Sequence, residues 1–110
     1  MYNIYLIYAE FEGLGQWKIG LSKNPERRLN EMRTANPNIK GIHALYEIDN
    51  RQVAYKTEAL MKRFLKPFQI GGEWVDIIAL NQTLFLEYCK KYETHARVLI
   101  EIENNKKFKY

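Results

Sequence analysis

Two runs rich in tyrosine, isoleucine and leucine, residues 2–9 (YNIYLIYA) and 17–21 (WKIGL), stand near the start of the chain with Gly13 and Gly15 between them. Aromatic and β-branched residues suit a pleated strand. The two glycines bracket Leu14 and mark a turn. Runs this close predict an antiparallel hairpin, with a loop somewhat longer than the tight two-residue kind. That hairpin is the seed of a sheet, and the rest of the chain reads as elements around it.

Asn24-Pro25 opens a helix. Asparagine caps well, and proline suits the first helical position, where its missing N–H is not needed. Glu26 then sits at the positive end of the helix dipole. Leu29, Met32 and Ala35 form a narrow apolar stripe, and Asn36-Pro37-Asn38 ends the helix. Residues 39–48 alternate, with Ile42, Ala44, Tyr46 and Ile48 on one face and His43, Leu45 and Glu47 on the other, which predicts a third strand. Asp49 or Asn50 caps a second helix over residues 51–65. Its apolar positions are Val53, Thr57, Leu60, Met61, Phe64 and Leu65, and Pro67 stops it.

Gly71-Gly72 gives a flexible turn before GEWVDI. Residues 81–92 predict a third helix with Leu84, Phe85, Tyr88 and Cys89 facing inward. Residues 96–102 (ARVLIEI) fit either a strand or more helix, and the closing NNKKFKY is a basic, aromatic tail expected to be mobile. The expected fold is α+β, a small three-stranded antiparallel sheet flanked by helices in the order ββαβα, followed by a further helix. Residues 1–92 are expected to form one domain and 93–110 a C-terminal extension.

With 110 residues and 46% hydrophobic content, the chain can bury one small core. Seventeen lysines and arginines against 13 acids give a formal charge of +4, which permits a nucleic-acid partner without requiring one. The single cysteine, Cys89, excludes a disulfide within the chain and fits a reducing cytoplasm. One cysteine and two histidines argue against structural zinc. No segment approaches transmembrane length, so no membrane partner is expected.

A phosphodiester-cleaving site needs a base for water, a cation for the phosphoryl charge, usually a metal ion, and a carboxylate to hold it. Tyr5 and Lys18 are polar residues in apolar strands, Arg28 lies on the first helix, and Glu58 lies at the edge of the second helix's apolar face. Each alone has a plainer reading. A strand tyrosine usually packs, an arginine is usually a solvated charge, and Glu58 has Lys62 as an i+4 partner.

As an ordered set, however, these residues resemble a known superfamily. Asn3-Ile4-Tyr5 followed by Lys18-Ile19-Gly20, the Asn-Pro turn and the Arg-Arg-Leu helix look like the GIY-YIG nucleases, in the branch whose second motif reads K-I-G. The helix glutamate Glu58 and the pair Glu73-Trp74 agree with that branch, and the resemblance spans residues 2–77.

The resemblance implies a DNA endonuclease using Mg²⁺ (or Mn²⁺). Tyr5 would act as general base on the attacking water or help to place it. A free phenol has a pKa of about 10, so a base role needs positive charge nearby. Lys18 would lower that pKa or contact the phosphate. Arg28 would stabilise the charge on the pentacoordinate phosphate, and Glu58 would hold one divalent ion. Gly20 would let the strand end and the chain approach the site closely.

The chain departs from the pattern at Asn3, where the first motif has glycine, and at Met32, where some members have histidine. No residue clearly matches the asparagine that closes the site in other members. Glu73 and Asp76 lie in the right region, and Glu73 is read as supporting Trp74 or the site rather than as a metal ligand. Lys23, Arg27, Arg33 and Lys62 are the candidate nucleic-acid contacts. They would grip phosphates without reading sequence. The rival expectation is the same fold without turnover, a module binding nucleic acid or a protein partner, as a phage or mobile-element protein could use. A homodimer is a further expectation, because one site cannot cut both strands at once.

Overall fold

A computed structural model describes residues 1–76 and 79–107. The chain begins with the expected hairpin, β1 (Tyr2–Phe11) and β2 (Leu14–Ser22), paired antiparallel from Asn3↔Ser22 to Phe11↔Leu14. The loop is tighter than expected. Only Glu12 and Gly13 lie between the strands, with φ of 53° and 80°. Two consecutive left-handed residues make the type I′ geometry whose twist matches that of the strands. Gly15 is not in the turn but within β2.

Helix α1 (Pro25–Ala35) starts where Asn24 places it. The Asn24 side chain accepts from the Arg27 N–H at 3.1 Å, and Pro25 opens the first turn. Leu29 is buried and Met32 packs beside it, but Ala35 is exposed, so the helix's apolar stripe ends at Met32. Asn36 closes the helix by donating to the Met32 carbonyl.

Strand β3 (Ile39–Ile48) pairs with the other edge of β1. The single alternating face assigned to Ile42, Ala44, Tyr46 and Ile48 is broken by a bulge. Leu6 pairs with Ala44 and Ile7 with Ile42, leaving His43 as an extra residue. Ile42 therefore joins Ile7 and Leu29 on the α1 side, while Ala44, Tyr46 and Ile48 face the opposite side.

Asn50, rather than Asp49, caps α2 (Arg51–Leu65), accepting from the Val53 N–H at 3.0 Å. Thr57 is buried on its inner face because its hydroxyl donates to the Val53 carbonyl at 2.7 Å, so the apolar face carries no unsatisfied donor. A single 3-10 turn, Lys66–Phe68, holds Pro67 and ends the helix.

The sheet has five strands, not three. The segment after Pro67 forms a second hairpin, β4 (Gln69–Gly71) and β5 (Trp74–Asp76), which docks on β2 through Gln16↔Asp76 and Trp17↔Val75. The strand order is β3-β1-β2-β5-β4. Gly71-Gly72 does turn the chain as expected, but between two strands whose three residues each show no readable alternation. Ile77 of GEWVDI lies outside the described residues.

The last helix, α3 (Gln82–Lys107), is capped by Asn81 and runs well past residue 92. ARVLIEI is thus helix, with Ala96 fully buried. The first residues of the NNKKFKY tail continue that helix, and residues 108–110 lie outside the described set. Cys89 is buried and its thiol is pushed up by burial, as suits an inert packing residue.

Alternate residues of β1 supply the two halves of the core. Ile4 and Leu6 pack with Trp17, Ile19, Met61, Phe85 and Ala96 toward α2 and α3. Tyr5, Ile7 and Ala9 pack with Leu29 and Ile39 toward α1. Among the described residues no helix is long and apolar enough to cross a membrane.

Glu12 is the one described non-glycine residue with positive φ. That conformation costs an ordinary L-residue about 1–2 kcal/mol, and asparagine tolerates it best. Glu12→Asn should therefore raise the folding free energy by roughly 0.5–1 kcal/mol. Urea unfolding would read this as a higher midpoint with an unchanged slope.

Candidate active site

The α1-side face of the hairpin ends in a small polar cleft of about 190 Å³. Its floor is Tyr5 from β1 with Lys18 and Gly20 from β2. Its walls are Arg28 and Met32 from α1, Glu58 and Lys62 from α2, and Glu73 from the tip of the β4–β5 hairpin. All four residues expected to carry chemistry, Tyr5, Lys18, Arg28 and Glu58, line this one cleft.

The register explains the floor. Tyr5 pairs with Gly20 and Ile7 with Lys18, so these positions share a face. Gly20 does not end the strand, which runs on to Ser22. Its role is spatial. A Cβ at position 20 would overlap the Tyr5 hydroxyl and ring, so the phenol lies in the space that the missing side chain leaves. The tyrosine of the first motif and the glycine of the second are thus one packing unit.

The Arg28 guanidinium lies near the Tyr5 hydroxyl and acts on its charge state. Burial pushes the phenol pKa up, and Glu58 adds to this. Arg28 and Lys62 pull the other way without overcoming it. In the free protein Tyr5 is therefore a neutral phenol at neutral pH, suited to placing a water more than to taking its proton. Arg28 is more than half exposed, and its Nη1 donates to Glu31 Oε2 at 3.3 Å. Glu31 and Tyr5 both hold it firmly charged, with a pKa raised above its usual value.

Glu58 is the most enclosed of the cleft's carboxylates, with its side chain 16% exposed. Burial lifts its pKa above the usual 4.5, the Lys62 ammonium at 3.8 Å lowers it, and Glu73 lifts it again. A carboxylate that is buried and only partly balanced has a standing affinity for a cation. Among the described residues no group of three or more His, Cys, Asp and Glu could hold a metal. Glu58 is thus the cleft's one enclosed carboxylate that would serve as a ligand. That sparse set fits Mg²⁺, which keeps several waters and uses one or two carboxylates.

The candidate backbone contacts divide. Lys62 lies in the cleft. Lys23, Arg27 and Arg33 do not line it. Lys23 sits over the Tyr2 ring at 4.9 Å from its centroid. Arg27 is 79% exposed and faces Glu31 at 3.5 Å. Arg33 donates to the Lys40 carbonyl, tying α1 to β3.

Glu73 belongs to the cleft although its sequence position gave it only a supporting role. Burial pushes its pKa up, but Lys62 and Lys18 outweigh this and hold it below the usual carboxylate range. The signal for Glu73 was its pairing with Trp74, whose ring lies 5.9 Å from Lys18 Nζ. Asp76 lies beyond the cleft, paired with Gln16.

The chain matches the T5orf172 domain over residues 3–99. It belongs to the T5orf172 domain family. The match takes in both strands of the hairpin, α1, α2 and the β4–β5 tip, hence every residue of the cleft. No curated protein and no solved structure matches the chain.

Two outcomes follow from this geometry. Gly20→Ala should destabilise the fold by about 1–3 kcal/mol, the usual range for overpacking, and Tyr5→Ala in the same chain should recover part of it; chemical denaturation of wild type and the two variants checks this. The second concerns Glu58. Its folded pKa lies above its ordinary value, so its contribution to stability is present at low pH and is lost as pH rises through the folded pKa. Glu58→Gln should therefore melt higher than wild type at neutral pH in EDTA. The gap should close as pH falls to the ordinary carboxylate value of 4.5. Added Mg²⁺ should raise the wild-type melting temperature and leave that of Glu58→Gln unmoved.

Proposed function

We propose that this T5orf172-family chain is a metal-dependent endonuclease of the GIY-YIG kind, hydrolysing phosphodiester bonds in DNA. The observation that carries the reading is the convergence of Tyr5, Lys18, Arg28 and Glu58 on one cleft from two strands and two helices. Membership of the family supports a nuclease-like or DNA-binding role in general terms.

In the reaction, a water oxygen attacks phosphorus, the bond to the leaving sugar oxygen breaks, and that oxygen takes up a proton. Tyr5, neutral and seated beside Arg28 in the cleft, places the water through its hydroxyl oxygen. Arg28 meets the equatorial phosphoryl oxygens with its planar fork, where negative charge builds as the fifth bond forms. Lys18 and Lys62 bind the phosphate oxygens and draw the strand in. Glu58 is the residue that would hold Mg²⁺ or Mn²⁺. When bound, the ion supplies charge neutralisation and stabilises the leaving oxygen. The proton lost by the attacking water passes to solvent, and the leaving oxygen takes its proton from solvent, since the buried phenol is a poor base.

The test is a nicking assay on supercoiled and linear DNA, with Mg²⁺, with Mn²⁺ and with EDTA. Wild type should cut only with metal. Arg28→Ala and Glu58→Ala should each lower the rate by on the order of 10²-fold or more, and Arg28→Lys should not restore it, because an ammonium lacks the fork. Salt-sensitive binding without cutting in either metal would overturn the enzymatic reading and leave a binding module, consistent with Met32 standing where a histidine would help. A homodimer would supply the second cut, and light scattering at two concentrations reads it directly.

A further inference from the structure

The closest ionic contacts inside the cleft are between the protein's own groups. Lys62 Nζ donates to Glu73 Oε1 at 3.2 Å, and Lys18 Nζ faces Glu73 Oε2 at 3.7 Å. One carboxylate thus bridges two ammonium groups, an oxygen to each, as the two non-bridging oxygens of a phosphodiester would. The cleft holds Lys18, Lys62 and Arg28 against Glu58 and Glu73. With Glu73 in place its positive surplus is slight, and with Glu73 gone it grows by a full charge.

Glu73 is also the acid best able to leave. Its side chain is 47% exposed against 16% for Glu58. It stands at the tip of the β4–β5 hairpin, beyond the two pairs, Gln16↔Asp76 and Trp17↔Val75, that hold this hairpin to β2. The residues before it are Gly71 and Gly72, the second with φ of 55°, and neither has a neighbour within 4 Å of where a Cβ would stand. Where the two glycine side chains would stand there is open space, so this side of the chain leading to Glu73 is not packed in. Half-exposed ion pairs of this kind contribute little to stability, so exchanging them for others costs little.

We propose that Lys18 and Lys62 form a subsite for a backbone phosphate of nucleic acid, and that Glu73 occupies it in the free protein as a stand-in which the hairpin withdraws when the strand enters. The identity of the ligand rests on the nuclease reading above; the occupied subsite does not. Glu73 then acts as a built-in competitor. A lone anion must displace it for two lysine contacts, whereas a nucleic-acid strand also gains Arg28 and its flanking phosphates. The cleft is thereby biased toward polymeric substrate and against free phosphate.

The experiment uses the full chain in EDTA, so cleavage plays no part. Binding of a short DNA duplex is read by fluorescence anisotropy across a salt series, and binding of inorganic phosphate by tryptophan emission, since Trp74 adjoins both Glu73 and Lys18. Glu73→Gln should bind duplex roughly tenfold more tightly than wild type, with a salt slope steeper by about 0.9 for each additional phosphate engaged. It should also bind inorganic phosphate where wild type binds it weakly. Adding Lys62→Gln to Glu73→Gln should abolish both gains, and Glu73→Ala provides the same comparison if the glutamine variant folds poorly. Unchanged or weaker anion binding by both Glu73 variants overturns the proposal, as does a gain that survives loss of Lys62. Phosphate gained without duplex binding keeps the subsite and removes the nucleic-acid reading. Duplex bound by wild type, with no gain on replacing Glu73, removes the subsite proposal and leaves the nuclease reading, which the separate nicking assay tests, untouched.

Discussion

The fold depends on β1 being buried on both faces. Ile4 through Ile7 are nearly inaccessible without a break, and their side chains divide between two cores. A central strand of this kind needs a paired strand on each side of it and helices over both faces. β2 and β3 provide the first, α1 on one face and α2 with α3 on the other provide the second. Tyr5 is part of that arrangement. It is both a core residue of the α1 side and the floor of the cleft, so the site is built on the most constrained segment of the molecule. The floor of the cleft is therefore held in position by packing that does not yield.

The same burial sets the cleft's electrostatics. Tyr5 and Glu58 are both pushed toward their neutral forms by burial, and in both cases nearby cations oppose the shift without cancelling it. Glu73, out at the hairpin tip, shows the reverse balance, with two lysines winning over a smaller burial effect. Depth thus sorts the three groups. The deep ones are left short of positive charge, and the shallow one is saturated with it. A cleft arranged in this way favours a cation near Glu58 and an anion near Lys18 and Lys62, which is the pairing that a metal ion and a phosphodiester bring together.

Local chemistry made much of this visible in the sequence. Asn24-Pro25 marked one helix start and Asp49-Asn50 narrowed another to two residues, because a capping side chain acts on backbone within three residues of itself. Tyr5, Lys18, Arg28 and Glu58 stood out as an ordered set, and they do share one cleft. What escaped the sequence was set by tertiary contact. The bulge at His43 moved Ile42 to the other face, a change that alternation cannot announce. β4 and β5 are three residues each and exist because β2 offers an edge to pair with. Glu73 entered the cleft only through that hairpin, so a reading that missed the strands could not place the residue. Gly20 was noticed for its motif, but its reason, room for the Tyr5 ring, lies across the sheet.

The turn at the far end of the hairpin bears on the site without touching it. Side chains on a strand alternate faces, so a slip of one residue between β1 and β2 would set a side chain other than glycine opposite Tyr5 and carry Lys18 away from the cleft. In a two-residue hairpin the register is fixed by the turn itself, and here that turn is Glu12-Gly13 with both residues left-handed. Gly13 accepts this conformation freely and Glu12 does not. The strain at Glu12 persists because the ladder from Phe11↔Leu14 to Asn3↔Ser22, with the Tyr5 ring seated over Gly20, favours this register over its neighbours. Turn, ladder and ring therefore specify the same alignment from opposite ends of the hairpin, and the geometry of the cleft is the consequence.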